Sequence, residues 1–380
     1  MSLCAQKGRG RAAPLAVLLI VLLVAVACGP AVDAPPPATP APATLAPSAT
    51  VTIPAPLPTA VATAGVPPVA APAPPVPVPA GPPASRRVAD WPVVPVIDAA
   101  MQARLRHILG LGIKMGNRPA VFAKAGDSIT AASAFLQGFA CPGTGPAAGA
   151  SIQADLAPVI AYFGATRFPA DAPKVGCGVA DSFSRSSVSA MPGWTSANAL
   201  VPLRHPPPGC DPPYDTALIC ELHLLRPGIV LIMFGTNDLG KSDDVDGFAG
   251  RLTLLVQQAL ALGTIPVLST IPPRLDDVEY AKRVPLFNAA IVQVAAAQQV
   301  PLWNYWLALQ APGLPNHGLS ADGIHPSIYG CPACDPTSLT PAGLRYGYNL
   351  RNWTALQVLA TLQRAVLDAG SPDPGAGIDS

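Results

Sequence analysis

Residues 229–238 read IVLIMFGTND. Six apolar residues run without a break and stop on Gly235, Thr236, Asn237 and Asp238. A half-buried strand or an amphipathic helix would interrupt such a run with polar positions. A strand covered on both faces does not, and that is the condition at the centre of a parallel sheet. Working outward, further apolar runs occupy Ala120 to Lys124, Ile265 to Thr270 and Pro301 to Tyr305, with a weaker one at Phe183 to Ser189. The prolines among them lie near the starts of their runs, where a strand tolerates them. Amphipathic helical patterns fill Val245 to Leu262 and Val284 to Gln299. Thr340-Pro341 pairs an N-cap with a first-turn proline and opens a last helix that the pattern carries to about Ala369. Five strands alternating with helices predict an α/β fold, a doubly wound three-layer sandwich on a five-stranded parallel sheet.

The rest of the 380 residues is organised around that unit. Lys7, Arg9 and Arg11 precede an apolar stretch that ends at Ala25-Val26-Ala27-Cys28. Residues 1–28 therefore read as a signal peptide with a lipobox-like end and Cys28 as the lipidation site, although Ala25 stands where Leu is usual. Plain secretion and an uncleaved anchor are the other readings, and all three place the remainder outside the cytoplasm. Residues 29–88 are Ala, Pro, Val and Thr with almost no charge, a composition that cannot build a core and predicts a disordered, polyproline-rich tether. The folded unit spans 89–369, and 370–380 is a frayed tail. Net charge is +1 with 12% charged residues and no basic patch, which excludes nucleic acid as a partner class. Any membrane contact would run through the N-terminal segment alone.

Cysteine use agrees with an oxidising compartment. Beyond Cys4 and Cys28 there are Cys141, Cys177, Cys210, Cys220, Cys331 and Cys334, an even set of disulfide candidates whose pairing the sequence leaves open. Cys331-Pro-Ala-Cys334 reads as a local bridge. A zinc site would want a second pair at ligand spacing, and a thioredoxin-type site would open a helix after a strand. Asn352-Trp353-Thr354 has the glycosylation pattern and is read as chance in its helical context.

Function in an open parallel sheet gathers at the carboxyl ends of the strands. Three polar stretches fall there. Ala125-Gly126-Asp127-Ser128 ends the first strand and leads into a helical pattern, SITAASAFLQ. Ser128 would stand at the sheet rim beside helix N–H groups, although Asp127 or Ser128 as a plain cap explains this stretch as well. Asn237, after the central strand, offers a side-chain N–H donor, or a turn residue. Asp322-Gly323-Ile324-His325 places a carboxylate three residues before an imidazole, the pairing that orients a general base. His317 is the second histidine candidate, but its neighbours offer no carboxylate.

Together AGDSIT, FGTND and DGIH, in that order, resemble the SGNH or GDSL-type hydrolase family over about residues 118–330 and the last helix. The resemblance implies a flavodoxin-like sheet and an ester hydrolase that needs no metal or organic cofactor. It implies Ser128 as nucleophile, His325 as base and Asp322 as its orienting partner. It also implies oxyanion donors from the Ser128 N–H, a glycine N–H and the Asn237 side chain. Gly193, in MPGWTSANAL after the weak second strand, is the glycine taken; an ordinary turn is its other reading. The expected activity is hydrolysis of an acyl ester, acetyl first, of a glycan or small molecule. Acyl transfer to a sugar and non-catalytic carbohydrate binding are the alternatives.

Overall fold

A computed structural model describes residues 87–140, 155–169, 178, 180–211, 215–242 and 244–368. The expected leader with Cys28, nearly all of the tether, Cys141, Cys177 and the tail lie outside the described residues. Val88, assigned to the tether's end, opens the short turn Val88–Asp90 and is tied to the fold, its carbonyl accepting Asn304 Nδ2 at 2.7 Å.

The elements in chain order are α1 (Ala99–Lys114), β1 (Arg118–Gly126), α2 (Ser128–Ala131), α3 (Ala157–Gly164), α4 (Ser196–Ala199), α5 (Ala217–Leu225) and β2 (Pro227–Met233). There follow α6 (Asp238–Lys241), α7 (Val245–Ala261), β3 (Ile265–Ser269), α8 (Val278–Gln298), β4 (Leu302–Trp303), α9 (Tyr305–Ala308) and α10 (Gly347–Leu362). The sheet order is β1-β2-β3-β4, with every pairing parallel. β2 is buried along its whole length, as its unbroken apolar run requires. α7 buries Phe248, Leu252, Leu255, Val256 and Ala259, one face at helical spacing, and Asp244 caps it by accepting Gly247 N–H at 2.8 Å. α5 packs on α7 and α7 on α8, and α1 packs on the turn Gln363–Leu367 that follows α10, as the right-handed crossover rule expects of helices covering the two faces of a parallel sheet.

Four parallel strands replace the expected five among the described residues. Phe183 to Ser189 runs beside β1 but is not a strand. Asp181 Oδ1 accepts the N–H groups of Phe183 and Ser184 at 2.9 and 3.1 Å, Glu221 Oε2 takes Val188 N–H at 2.9 Å, and the Ser187 hydroxyl bonds Lys124 O at 2.5 Å. Side chains thus hold backbone groups that a ladder would need. A single parallel bridge, Gly126 to Ala190, remains at the position a fifth strand would take. That bridge lies on the side of β1 opposite β2, so the chain leaves β1 in one direction and returns in the other. The reversal, a topological switch point, falls between β1 and β2.

Other boundaries moved for similar reasons. The helical pattern after Ser128 gives a single turn, because α10 captures the next segment: Asn352 accepts Leu136 N–H at 3.0 Å and donates to Ala134 O at 2.9 Å. Asn352 is fully buried, so its sequon is not a glycan acceptor in the folded chain. Thr340 does accept Gly343 N–H, but it caps only the turn Gly343–Arg345; Tyr346 is extended, and α10 starts at Gly347. A Cβ at Gly347 would lie 2.2 Å from Gly318 O, so close backbone approach sets that start. α8 begins six residues before the expected point, capped by Asp277, and carries Pro285 inside it. Disulfides join Cys210 to Cys220 and Cys331 to Cys334.

Candidate active site

The site is built where β1 and β2 end. Asp127 caps α2 through Oδ1, which accepts Ile129 N–H at 2.9 Å. Ser128 is the first residue of the turn. Its N–H belongs to the first-turn donors that have no partner within a helix. Both readings of this stretch therefore hold at once, the cap on Asp127 and the presented hydroxyl on Ser128.

Ser128 Oγ lies 2.9 Å from His325 Nε2, and His325 Nδ1 lies 2.6 Å from Asp322 Oδ2. The side chains of His325 and Asp322 are 38% and 45% exposed, so the relay stands at the surface of the described residues. The 320–325 loop orients the acid. Asp322 Oδ1 accepts N–H bonds from Ile324 and His325 at 3.0 Å each and the Ser320 hydroxyl at 2.7 Å. Burial by itself would raise this carboxyl; the Ile324 N–H, the His325 ring, the Ser320 hydroxyl and the His325 N–H outweigh it and hold the group well below the usual carboxylate range. An ionised carboxylate only accepts, so Nδ1 carries a proton and Nε2 turns a lone pair toward Ser128. Gly323 makes the loop possible: its φ is +68°, and a Cβ there would lie 2.7 Å from Asp276 N.

The two other residues expected as donors are linked to the ends of the same strands. Asn237 Nδ2 donates to Trp194 O at 2.9 Å, and a primary amide keeps a second N–H. Gly193, at φ +77°, sits in the turn Met191 to Trp194. That turn hangs on the end of β1, because Met191 N–H donates to Gly126 O at 3.2 Å. The fold thus brings Ser128, Asn237 and the Gly193 turn to one corner of the sheet. His317 does not join them; it stands exposed on the turn Pro315–Gly318.

Several supporting residues were not singled out from the sequence. Asp238, named there only where the apolar run stops, is buried and accepts Ser196 N–H at 3.0 and 3.1 Å and Ser196 Oγ at 2.5 Å, fixing α4 next to the Gly193 turn. Arg274 forks onto Asp276 with two 2.6 Å bonds and donates to Thr236 O at 2.7 Å, linking the Asn237 loop to the segment that meets Gly323. Burial pushes the Asp127 carboxyl up to about 6, and the Asp238 charge adds to that; the Ile129 N–H and the Arg351 charge pull it back. Lys124, also fully buried, is brought down to about 7 by burial and donates to Phe183 O at 2.8 Å. Only the strand position of Asp238, at the sheet rim after an apolar run, could have marked any of these beforehand. No group of His, Cys, Asp and Glu among the described residues has an arrangement that would hold a metal ion.

Residues 125–331, just over half of the chain, match the sequence model of the GDSL-like lipase/acylhydrolase family. No curated protein sequence matches the chain. Solved structures that resemble it include a GDSL-like lipase from Bacteroides thetaiotaomicron VPI-5482, at 15% identity and TM-score 0.37, over 68% of this chain and 98% of that one. A lipase/acylhydrolase from Enterococcus faecalis has 20% identity and TM-score 0.37, over 63% and 95%. A catalytic mutant of an acetylxylan esterase from Geobacillus stearothermophilus has 16% identity and TM-score 0.35, over 64% and 93%. At these scores the structural likeness adds nothing to the family match.

Proposed function

The chain belongs to the GDSL-like lipase/acylhydrolase family and is an ester hydrolase, and on that premise we propose an extracytoplasmic serine esterase that works through Ser128, His325 and Asp322. The observation that carries the triad is the unbroken relay of 2.9 and 2.6 Å from Ser128 Oγ through the His325 ring to Asp322. His325 Nε2 takes the Ser128 proton as the hydroxyl attacks an ester carbonyl. The developing oxyanion rests on the Ser128 N–H, the second N–H of Asn237 and the Gly193 N–H. His325 returns the proton to the leaving alcohol, an acyl-enzyme forms, and water activated by the same ring releases the acid.

The ester is a short one, acetyl first, on a glycan or a small molecule. The surface position of the relay supports this, since it suits an ester borne on a bulky hydrophilic carrier. The apolar leader ending at Cys28 and the two described disulfides support action outside the cytoplasm, on a lipid anchor at Cys28.

The test is covalent labelling with a fluorophosphonate, with the adduct located by mass spectrometry. One adduct per chain on Ser128, absent from Ser128→Ala and strongly slowed in His325→Ala, is expected. A folded chain that stays unlabelled would remove the triad. Hydrolysis of acetyl, butyryl and octanoyl esters of one alcohol then sets the acyl length, and a preference for octanoyl would overturn the short-acyl reading.

A further inference from the structure

Beneath the nucleophile turn lies a charge that the relay does not use. Arg351 of α10 is 1% exposed. Its Nη1 donates to Ile129 O at 2.6 Å and its Nη2 to Thr130 Oγ1 at 3.1 Å, with Met233 Sδ at 3.5 Å. The guanidinium carbon stands 3.7 Å from the Phe135 ring centroid. Nε has no partner. Among the described residues its polar partners are a carbonyl, a hydroxyl and a thioether, with no carboxylate. Asp127 feels the charge without touching it. Tyr348 OH, one turn earlier on α10, also donates to Ile129 O at 3.3 Å.

A buried cation without a carboxylate partner is costly, and an apolar side chain of similar volume commonly does the packing as well or better. The position of the charge supplies the reason for keeping it. Ile129 and Thr130 directly follow Ser128 in one helical turn, where carbonyl groups point opposite to the N–H groups of the first turn. A cation at the carbonyl end of a helical turn strengthens the positive character of its N–H end. Bonds in such a chain polarise one another in a low-dielectric interior.

We propose that Arg351 is a positioning residue for ester hydrolysis: its guanidinium fork clamps the Ile129 carbonyl and the Thr130 hydroxyl and places a fixed positive charge behind the Ser128 N–H, where the oxyanion develops. The proposal rests on Ser128 being the nucleophile. It acts on the transition state and leaves ground-state substrate binding alone.

The test uses the full chain carrying Arg351→Met or Arg351→Lys, measured as ratios to wild type once wild type has been shown to take a fluorophosphonate on Ser128. Failure of that labelling would dispose of the functional reading and is scored separately. In Arg351→Met, kcat should fall at least about tenfold, as expected for weakened oxyanion stabilisation. KM should stay within about twofold. The Ser128 labelling rate of the folded fraction should fall in step with kcat. A merely structural arginine would lower the melting temperature and leave kcat of the folded fraction unchanged. Arg351→Lys keeps the charge but loses the fork, and its kcat should fall between wild type and the Met variant. Wild-type kcat in either folded variant overturns the proposal, and so does failure of both variants to fold, which would make Arg351 a structural residue.

Discussion

Asp322 and Asp127 are two carboxylates at one site with opposite environments. Four hydrogen bonds hold Asp322 below its ordinary range, so its stabilising effect is present above an unfolded value of about 4 and is lost only as the pH falls through the lower folded value. It therefore stays ionised throughout the neutral and mildly acidic range. Asp322→Asn keeps the shape but changes what His325 Nδ1 meets. The variant should still fold, with a somewhat lower melting temperature, and lose on the order of 10³- to 10⁴-fold in kcat, read by steady-state kinetics beside a thermal melt. Wild-type turnover would remove Asp322 from the relay. Asp127 is the reverse case. Its carboxyl is raised to about 6, so between about pH 4 and 6 the folded chain binds more protons than the unfolded one, and stability falls as the pH rises through that window. Asp127→Asn can still accept Ile129 N–H. It should melt above wild type at pH 8, by up to about 3 kcal/mol, with the gap closing toward pH 4. Melts across that range would show it, and a constant gap would mean that the buried charge is not the cause.

At the scale of elements, the site depends on loops pressed against other loops by backbone contact. Gly323 is the case within the relay's own loop, with positive φ and with Asp276 N and Leu275 C within 3 Å of a would-be Cβ. Gly323→Ala should cost about 1–3 kcal/mol in stability and lower kcat by shifting Asp322 and His325 together; denaturant unfolding and kinetics on the same sample test this. A variant with wild-type stability would show that the 320–325 loop yields freely. Element boundaries also show where local pattern stops being informative. The apolar runs of β1, β2 and β3 and the amphipathic face of α7 were readable to within a few residues. Phe183 to Ser189 was misread as a strand because Asp181, Glu221 and Ser187 spend its hydrogen bonds on side chains, and one of those, Glu221, comes from 33 residues away in sequence. The turn after Ser128 was over-extended because Asn352, 216 residues distant, takes the backbone groups of Leu136.

Across the whole molecule, the reversal of strand order between β1 and β2 sets the corner of the sheet to which Ser128 and Asn237 belong. The two described disulfides brace different parts of the frame. Cys210–Cys220 closes 10 residues and Cys331–Cys334 closes 3. By chain entropy the first should contribute about 3 kcal/mol and the second about 2. The double serine variant of Cys210 and Cys220 should therefore melt below that of Cys331 and Cys334. The opposite order, in paired thermal melts, would point to native-state effects stronger than loop closure.

The sequence by itself determined the α/β class and the central strands, and it marked Ser128 and Asn237 as polar residues at strand ends and Asp322 and His325 as a carboxylate and an imidazole at close spacing. It could do so because apolar periodicity and polar residues at a strand's end are local signals, carried by neighbours in the chain. Tertiary structure alone decided that four strands pair, that Cys210 joins Cys220, and that Asn237 donates to Trp194. It alone placed a buried arginine, Arg351, under a turn 222 residues away. Those outcomes depend on which distant groups reach a buried donor or acceptor first, and burial makes that competition decisive, because an unmatched polar group in the interior has no water to fall back on.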